Sequence, residues 1–237
     1  MSYKRSWSES RETPDNKMSY QLLIFDWDGT LMDSEARIVA CMETAAEDLR
    51  LEKPDKDAIR DIIGLGLEEA IGRLFPDCHP KTRQRLAKRY RHHFLASDTT
   101  PAPLFAGVTT MLRDLKQRGH WLAVATGKGR AGLQKVLHDT GLEQMFLTTR
   151  CAGDTASKPN PQMLFELLEE TGVEARQALM IGDTEYDLQM AQNASMTALA
   201  VGYGVHEKER LLRHEPIACV DDVAALHDWL LTNGGRS

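Results

Sequence analysis

The chain has 237 residues, which is enough for one substantial hydrophobic core and a smaller attached module. Its net charge of -6 argues against nucleic acid as the main partner, because nucleic-acid affinity comes largely from a basic surface that neutralises phosphates. Three features favour a cytoplasmic protein without a membrane partner: a polar N-terminus, no apolar run near the roughly 20 residues of a membrane span, and four cysteines without a CxxC pair.

The first strong signal is an apolar run that ends abruptly at two carboxylates. Residues 1–18 are expected to form a disordered tail, and the run Leu22–Phe25 is followed at once by Asp26 and Asp28. The run predicts a buried strand, so both carboxylates lie at its C-terminal end, where open α/β sheets place their ligands. Such a pair can divide the roles of nucleophile and proton donor, or hold a hard cation.

Helical periodicity then continues as far as residue 97, and no convincing strand interrupts it. Helices are predicted over residues 38–49, 57–63, 67–75 and 81–97. Pro101 and Pro103 indicate a linker to another module.

From Leu104 onward, predicted strands and helices alternate. Strands are predicted over residues 121–125, 145–149, 178–181, 197–201 and 217–220, and helices over residues 108–115, 131–139, 161–171, 185–193 and 223–231. This alternation predicts an α/β fold whose parallel sheet is covered on both faces. The helical block of residues 34–103 is therefore an insertion after the first strand.

Further polar residues stand at the ends of the predicted strands and at one helix start. Thr126 and Gly127 follow the strand 121–125, Lys158 precedes a helix, and Asp183 and Asp187 follow the strand 178–181. In a parallel sheet with right-handed crossovers, the loops after these strands open on one edge. These residues can therefore converge with the first pair of carboxylates.

This set of residue types suits a phosphoryl group. Carboxylates bind Mg²⁺, which is often shared with a substrate phosphate, and a carboxylate oxygen can attack phosphorus. A lysine and a metal ion would neutralise an anionic transition state. Each residue alone is also explained by ordinary turn or capping chemistry. Their joint occurrence in this order argues against coincidence.

The combined pattern resembles the haloacid dehalogenase superfamily. Its four motifs are Asp26-x-Asp28-Gly29-Thr30, Thr126, Lys158-Pro159 and Gly182-Asp183-Thr184-x-x-Asp187. The resemblance implies a Rossmann-like, doubly wound core formed by residues 19–33 and 104–237. The helical insertion, residues 34–103, looks like the cap domain of the phosphoglycolate phosphatase-like branch. One departure is Ser195, which stands where relatives commonly have Gly and is expected to cost only local backbone freedom.

By this resemblance, the protein would be a Mg²⁺-dependent phosphatase that forms an aspartyl-phosphate. Asp26 would be the nucleophile and Asp28 the general acid and base. Thr126, with Gly127 beside it, and Lys158 would hold the phosphate. The substrate would be a small phosphorylated metabolite, phosphoglycolate-like or a sugar phosphate, and one sequence does not identify it or the oligomeric state.

The resemblance also implies a metal site and a role for the cap. Asp183 would bind Mg²⁺ together with the Asp26 carboxylate and the backbone carbonyl of Asp28, and Asp187 would support the ligands. In the cap, the Gly64-Leu65-Gly66 loop is a candidate for substrate contact. The basic run from Lys81 to Arg91, with Arg60, is a further candidate, although a solvated helix exterior is the favoured explanation of those charges.

Four alternatives remain open at this point. A dehalogenase would not need Asp28, because no leaving oxygen requires a proton. A phosphomutase of this type carries a His where the chain has Ile38, and a phosphonate hydrolase needs a Schiff-base lysine, for which Lys53 and Lys56 are the candidates. A non-catalytic binding protein on the same fold need not keep every charge of the set.

Overall fold

The computed structural model describes residues 20–234 and contains one six-stranded parallel sheet in the order β3-β2-β1-β4-β5-β6. The predicted tail of residues 1–18 lies outside the described residues. The strands are β1 (Leu22–Phe25), β2 (Trp121–Thr126), β3 (Thr148–Cys151), β4 (Ala178–Gly182), β5 (Thr197–Val201) and β6 (Cys219–Val220). The predicted parallel α/β fold is confirmed.

Helices cover both faces of this sheet and fill the connection from β1 to β2. They are α1 (Glu35–Asp48), α2 (Lys56–Asp61), α3 (Leu67–Leu74), α4 (Pro80–His92), α5 (Val108–Gln117), α6 (Arg130–Thr140), α7 (Gln162–Thr171), α8 (Glu185–Asn193), α9 (Lys208–Leu212) and α10 (Val223–Asn233). A π-helical turn, His93–Ser97, extends α4. None of the helices in residues 20–234 is both long enough and apolar enough to cross a bilayer.

The central strand β1 explains why both faces are covered. All its residues are fully buried, and successive side chains of a strand point to opposite faces. Leu23 and Phe25 join the hydrophobic cluster on one face, whereas Leu22 and Ile24 join the cluster on the other. A continuous apolar run is thus what a central parallel strand requires.

The helices α1 to α4 and the π-helical turn form the inserted region, which we call the helical block (residues 35–97). Its first helix buries an apolar stripe that includes Ile38, Met42 and Ala45, with the spacing of one helix face. This stripe and Leu86 of α4 belong to the same hydrophobic cluster as one face of the sheet. The block therefore packs over the sheet edge at which β1 ends.

Two local predictions differ from the structure. The third strand is Thr148–Cys151 rather than residues 145–149, because its register aligns Cys151 with Thr126 at the end of β2. Met145 and Phe146 pack on the core without entering the sheet. The short helix α9 was not predicted, since its five residues carry too little periodicity to show a face.

The expectation for Ser195 agrees with the backbone. Its φ is 53°, in the left-handed region that favours glycine, just after the end of α8. The residue therefore adopts the glycine-type turn at the cost of some local strain.

Candidate active site

The sheet edge formed by the C-terminal ends of β1, β2 and β4 brings the predicted polar residues together. β1 lies between β2 and β4, so the loops that follow these three strands are neighbours. Asp26, Thr126, Lys158 and Asp183 are all fully buried there. Sequence positions more than 150 residues apart meet directly, since the Thr30 hydroxyl donates to Asp183 Oδ1 at 2.8 Å.

Lys158 is the central cation of this edge. Its ammonium nitrogen lies 2.7 Å from Asp26 Oδ1 and 2.6 Å from Asp187 Oδ1, and its side chain is completely buried. Lys158 thus pairs with two carboxylates, and Asp183 lies beside them, so we call these four residues the catalytic cluster. A buried group with this excess of negative charge favours a further cation.

The electrostatics of the catalytic cluster reflect this excess. Burial raises the pKa of Asp26 to about 7, and the charges of Asp187 and Asp28 act in the same direction against the opposing attraction of Lys158. Burial also raises the pKa of Asp183 well above its usual range, and Asp26 and Asp187 contribute to that rise. Both shifts come mainly from burial, and the neighbouring carboxylates add to them.

The donor set fits a hard divalent cation. Asp26, Asp183 and Asp187 each offer an oxygen within 4.8 Å of the others. Asp26 Oδ2 is buried, and no hydrogen-bond donor in residues 20–234 reaches it. A buried oxygen without a donor costs free energy unless a cation or water binds it. Oxygen ligands of this kind are those that Mg²⁺ prefers.

Asp187 is bound differently from Asp26. Its Oδ1 accepts from Lys158, and its Oδ2 accepts from the backbone N–H of Thr184 at 3.1 Å and from the Thr184 hydroxyl at 2.8 Å. The bond from the Thr184 backbone N–H is one half of a capping box at the start of α8, whose other half is the Thr184 side chain facing the backbone N–H of Asp187. With both oxygens engaged, Asp187 suits the supporting role that was expected of it.

Two glycines allow the backbone to approach Asp183 closely. A Cβ at Gly29, whose φ is 76°, would lie 2.0 Å from Asp183 Oδ2, and a Cβ at Gly204 would lie 2.3 Å from Asp183 Cβ. The two residues after Gly204 also bind Asp183. The Val205 backbone N–H donates to Asp183 Oδ2 at 2.9 Å, and the His206 backbone N–H donates to the Asp183 carbonyl oxygen at 3.4 Å. Sequence reasoning did not single out the segment 204–206, which carries no strand-end carboxylate.

Asp28 faces away from the cluster, toward the helical block. Its carboxylate accepts from Lys128 Nζ at 2.7 and 2.9 Å, and from the Ser34 hydroxyl. Ser34 occupies the N-cap position of α1, but its side chain makes no capping bond. Lys128 was not predicted as a site residue, although it follows the motif residue Thr126 by two positions.

The loop after β2 carries the candidate phosphate-binding groups. The Thr126 hydroxyl accepts from the backbone N–H of Lys128 at 3.1 Å, which fixes its orientation. A Cβ at Gly127 would lie 2.5 Å from the carbonyl oxygens of both Gly64 and Leu65. The helical block therefore contacts the core backbone directly at this loop.

A cavity of about 580 Å³ opens between the helical block and the sheet edge. Asp26, Asp28 and Gly127 line it from the core, and the loop Gly64-Leu65-Gly66 lines it from the block. Gly66 N also donates to the Ser157 hydroxyl at 2.8 Å. The structure thus places this loop beside both motif carboxylates.

Arg60 lies elsewhere. Its guanidinium is 3.0 Å from Glu35 and 3.6 Å from Asp57, and it lines a separate pocket on the outer side of α1. Among the basic residues of α4, Arg89 pairs with Asp48, while Arg91 pairs with Glu68 and borders the cavity. The structure brings Arg91, and not Arg60, to the cavity that contains the motif carboxylates.

Comparison with known proteins identifies the family to which this sequence belongs. The model of the family described as haloacid dehalogenase-like hydrolase matches residues 23–201, which include all four motifs. The chain belongs to the haloacid dehalogenase-like hydrolase family. The predicted family membership is therefore confirmed, and with it the expectation that the protein is an enzyme of the hydrolase class.

Relatives of this hydrolase carry phosphatase names. "Probable phosphatase IndB" of Dickeya dadantii is 37% identical over 206 residues, covering 84% of this chain and 89% of that protein. The phosphoglycolate phosphatase of Rhodospirillum rubrum is 32% identical over 219 residues, covering 88% and 90% of the two chains. A crystal structure described as a predicted phosphoglycolate phosphatase, from Haemophilus somnus, superposes with a TM-score of 0.81 at 22% identity, covering 88% of this chain and 97% of that one. That structural likeness supports the fold.

Proposed function

We propose that this hydrolase is a Mg²⁺-dependent phosphatase that cleaves a small phosphate monoester through an aspartyl-phosphate on Asp26. The observation that carries the proposal is the catalytic cluster, in which three buried carboxylates lie together with a single lysine beside a cavity. The phosphatase names of its relatives support the same reaction class.

The residues of the chain divide the reaction between them. Asp26 attacks phosphorus, and the leaving oxygen takes a proton from Asp28, which then activates the water that hydrolyses the phosphoenzyme. Lys158 and the Thr126 loop hold the phosphoryl oxygens. Asp26, Asp183 and the backbone carbonyl of Asp28 would hold Mg²⁺, with Asp187 in support, and the ion would supply charge neutralisation.

We further propose that the helical block acts as a movable cap. It meets the core at Gly127 and Ser157, and the cavity lies directly between the two parts. Closure of such a block excludes bulk water from the reacting groups, and opening releases the product.

The structure disfavours two of the alternatives. Lys53, a candidate Schiff-base lysine, has a side chain 49% exposed and pairs with Glu47, and the other candidate, Lys56, lines the separate pocket beside Arg60, so neither lines the cavity. Ile38 is buried and lines the cavity with an apolar side chain where a mutase carries a His. The intact Asp28 and catalytic cluster favour phosphatase chemistry over dehalogenation or simple binding.

Phosphate release from a panel of phosphorylated metabolites, with Mg²⁺ and with EDTA, tests this function. We expect Mg²⁺-dependent release from at least one ester and also from p-nitrophenyl phosphate, whose leaving group needs little protonation. Binding of the same esters without phosphate release under any condition would instead assign the fold to a binding protein.

A further inference from the structure

The wall that the helical block presents to the catalytic carboxylates is mostly apolar, with Glu68, Glu69 and Arg91 as its charged members. Its apolar side chains include Ile38, Met42, Leu65, Tyr90, Phe94 and Leu95. Because Asp26 and Asp28 lie on the opposite side of the same cavity, this wall is where the group attached to a bound phosphate must lie. An apolar surface of this kind binds hydrocarbon by removing it from water, and it offers little to a polar or charged group.

The cations on the cavity lining are already paired. Within residues 20–234 they are Arg91, 2.8 Å from Glu68, Lys128, 2.7 Å from Asp28, and Arg130, 2.9 Å from Asp154. A second carboxylate on the substrate would need a cation, because burying an unpaired charge is costly. The buried Lys128–Asp28 pair would be costly to break, whereas the exposed Arg91–Glu68 and Arg130–Asp154 pairs hold their arginines more weakly.

The cavity is also large for a two-carbon leaving group. Its volume is about 580 Å³. Cavities of roughly 300–1,000 Å³ typically bind organic molecules with ring-sized frames. A phosphate with only two further carbon atoms would leave much of the apolar wall in contact with water.

Two aromatic side chains supply a flat part of this wall. The rings of Tyr90 and Phe94 stack with centroids 6.0 Å apart, and the Lys128 ammonium lies 4.2 Å from the Phe94 centroid. Lys128 thus contacts both the Phe94 ring and the Asp28 carboxylate. No group in the described part of the chain hydrogen-bonds to the Tyr90 hydroxyl, so this hydroxyl can serve a single polar atom of a bound group.

We propose that the substrate's leaving group is uncharged and carries an apolar, ring-sized frame that packs on the Tyr90–Phe94 wall. The proposal rests on the phosphatase function above and names its substrate class. It ranks a neutral aryl or aryl-alkyl phosphate monoester above phosphoglycolate, although phosphoglycolate phosphatases are among the relatives.

Three primary alkyl esters test the proposal, because their leaving alkoxides place similar demands on the proton donor. They are benzyl phosphate, ethyl phosphate and phosphoglycolate. We expect kcat/KM to fall in that order, with benzyl phosphate at least ~10-fold above phosphoglycolate, since even one methylene in an apolar pocket discriminates by roughly 10–200-fold. Phosphoglycolate equal to or better than benzyl phosphate would overturn the proposal and leave the phosphatase function standing.

A charge introduced into the wall provides the second test. Leu95 lines the cavity but is only partly buried, so Leu95→Lys should fold; the matched control Ala36→Lys places the same charge on an exposed site of α1 outside the cavity. We expect Leu95→Lys to raise the phosphoglycolate-to-benzyl kcat/KM ratio at least ~10-fold and Ala36→Lys to leave it unchanged. Circular dichroism checks folding, and Leu67→Lys, also partly buried on the lining, is the substitute if Leu95→Lys is unfolded.

The outcomes distinguish a failure of the apolar-wall inference from a failure of the phosphatase function. An unchanged ratio in a folded lysine variant overturns the apolar-wall inference alone. If wild-type protein with Mg²⁺ releases phosphate neither from these esters nor from p-nitrophenyl phosphate, the phosphatase function and the inference built on it both fail.

Discussion

Two clusters of acidic residues lie close together in this hydrolase and behave in opposite ways. The catalytic cluster is buried and has one lysine for three carboxylates. The second, which we call the boundary cluster, consists of Asp61, Glu185, Arg210 and His214. There, Arg210 bonds both carboxylates at once and joins α2 of the helical block to α8 and α9 of the core.

The pKa values of the two clusters move in opposite directions. Burial raises the pKa of Asp26 to about 7, whereas the hydrogen bond from Arg210 lowers the pKa of Glu185 to about 2. The two residues carry the same functional group, so the difference comes from burial and from the ratio of cations to anions. The boundary cluster is complete as it stands, whereas the catalytic cluster is suited to bind another cation.

The largest expected effect is the loss of turnover when the proposed nucleophile, Asp26, is removed. Asp26→Asn should lower kcat on the order of 10⁴-fold or more, because it removes the attacking oxygen while keeping the shape of the side chain. The matched control is Asp33→Asn, an exposed carboxylate in the same segment, which should retain activity. Phosphate release measures both, and substantial activity in Asp26→Asn would rule out the assigned nucleophile.

The next effect tests whether the catalytic cluster needs a cation. Mg²⁺ at 100 times its dissociation constant should raise the free energy of unfolding by about 2.7 kcal/mol, as for any ligand that binds only the folded state. Asp183→Asn should abolish most of this gain, and Glu185→Gln, in the boundary cluster, should keep it. Urea denaturation with and without Mg²⁺ gives the values, and equal gains in both variants would place the metal elsewhere.

A smaller effect concerns pH in the metal-free protein. The folded pKa of Asp26, about 7, exceeds its unfolded value of 3.8. Protonated Asp26 therefore makes its full contribution to the free energy of unfolding below pH 3.8, and this contribution is lost as the pH rises through about 7. Asp26→Asn should therefore be more stable than wild type at pH 8, by about 1–3 kcal/mol, and not at pH 4. Denaturation in EDTA at both values checks this, and a variant less stable at pH 8 would contradict the charge excess.

The boundary cluster should show the opposite and smallest dependence. The folded pKa of Glu185, about 2, lies below its ordinary value of 4.5. Ionised Glu185 therefore makes its full contribution to the free energy of unfolding above pH 4.5, and this contribution is lost as the pH falls through about 2. Glu185→Gln should cost about 1 kcal/mol at pH 7 and progressively less in acid. Thermal unfolding at pH 7 and pH 3 measures the difference, and a cost that grows in acid would show that Arg210 does not stabilise the carboxylate.

The sequence predicted the catalytic cluster better than the contacts around it. Asp26, Thr126 and Asp183 stand where apolar strands end, and parallel topology brings strand ends to one edge whatever the loops do. The bond from Lys128 to Asp28 depends on side-chain directions across the fold, which strand-end patterns do not contain.

The boundary cluster shows the same limit more strongly. Asp61 and Arg210 are separated by 149 positions, and each is an ordinary charged residue in its own helix. Arg60, one residue earlier, was the predicted candidate, but helix geometry turns it toward Glu35 instead. A difference of one position on a helix rotates a side chain by about 100°. The residue types of Arg60 and Asp61 therefore do not show which of the two faces the core.

At Gly127 the helical block approaches the core so closely that a single added methyl group would not fit between them. The backbone of Gly127 lies outside the left-handed region, so alanine is compatible with its conformation, yet the added carbon would meet the Gly64 and Leu65 carbonyl oxygens at 2.5 Å. Backbone atoms on both sides cannot yield as a flexible side chain can. Under the proposed movement of the helical block, Gly127→Ala would therefore hinder closure while leaving every charge of the active site in place.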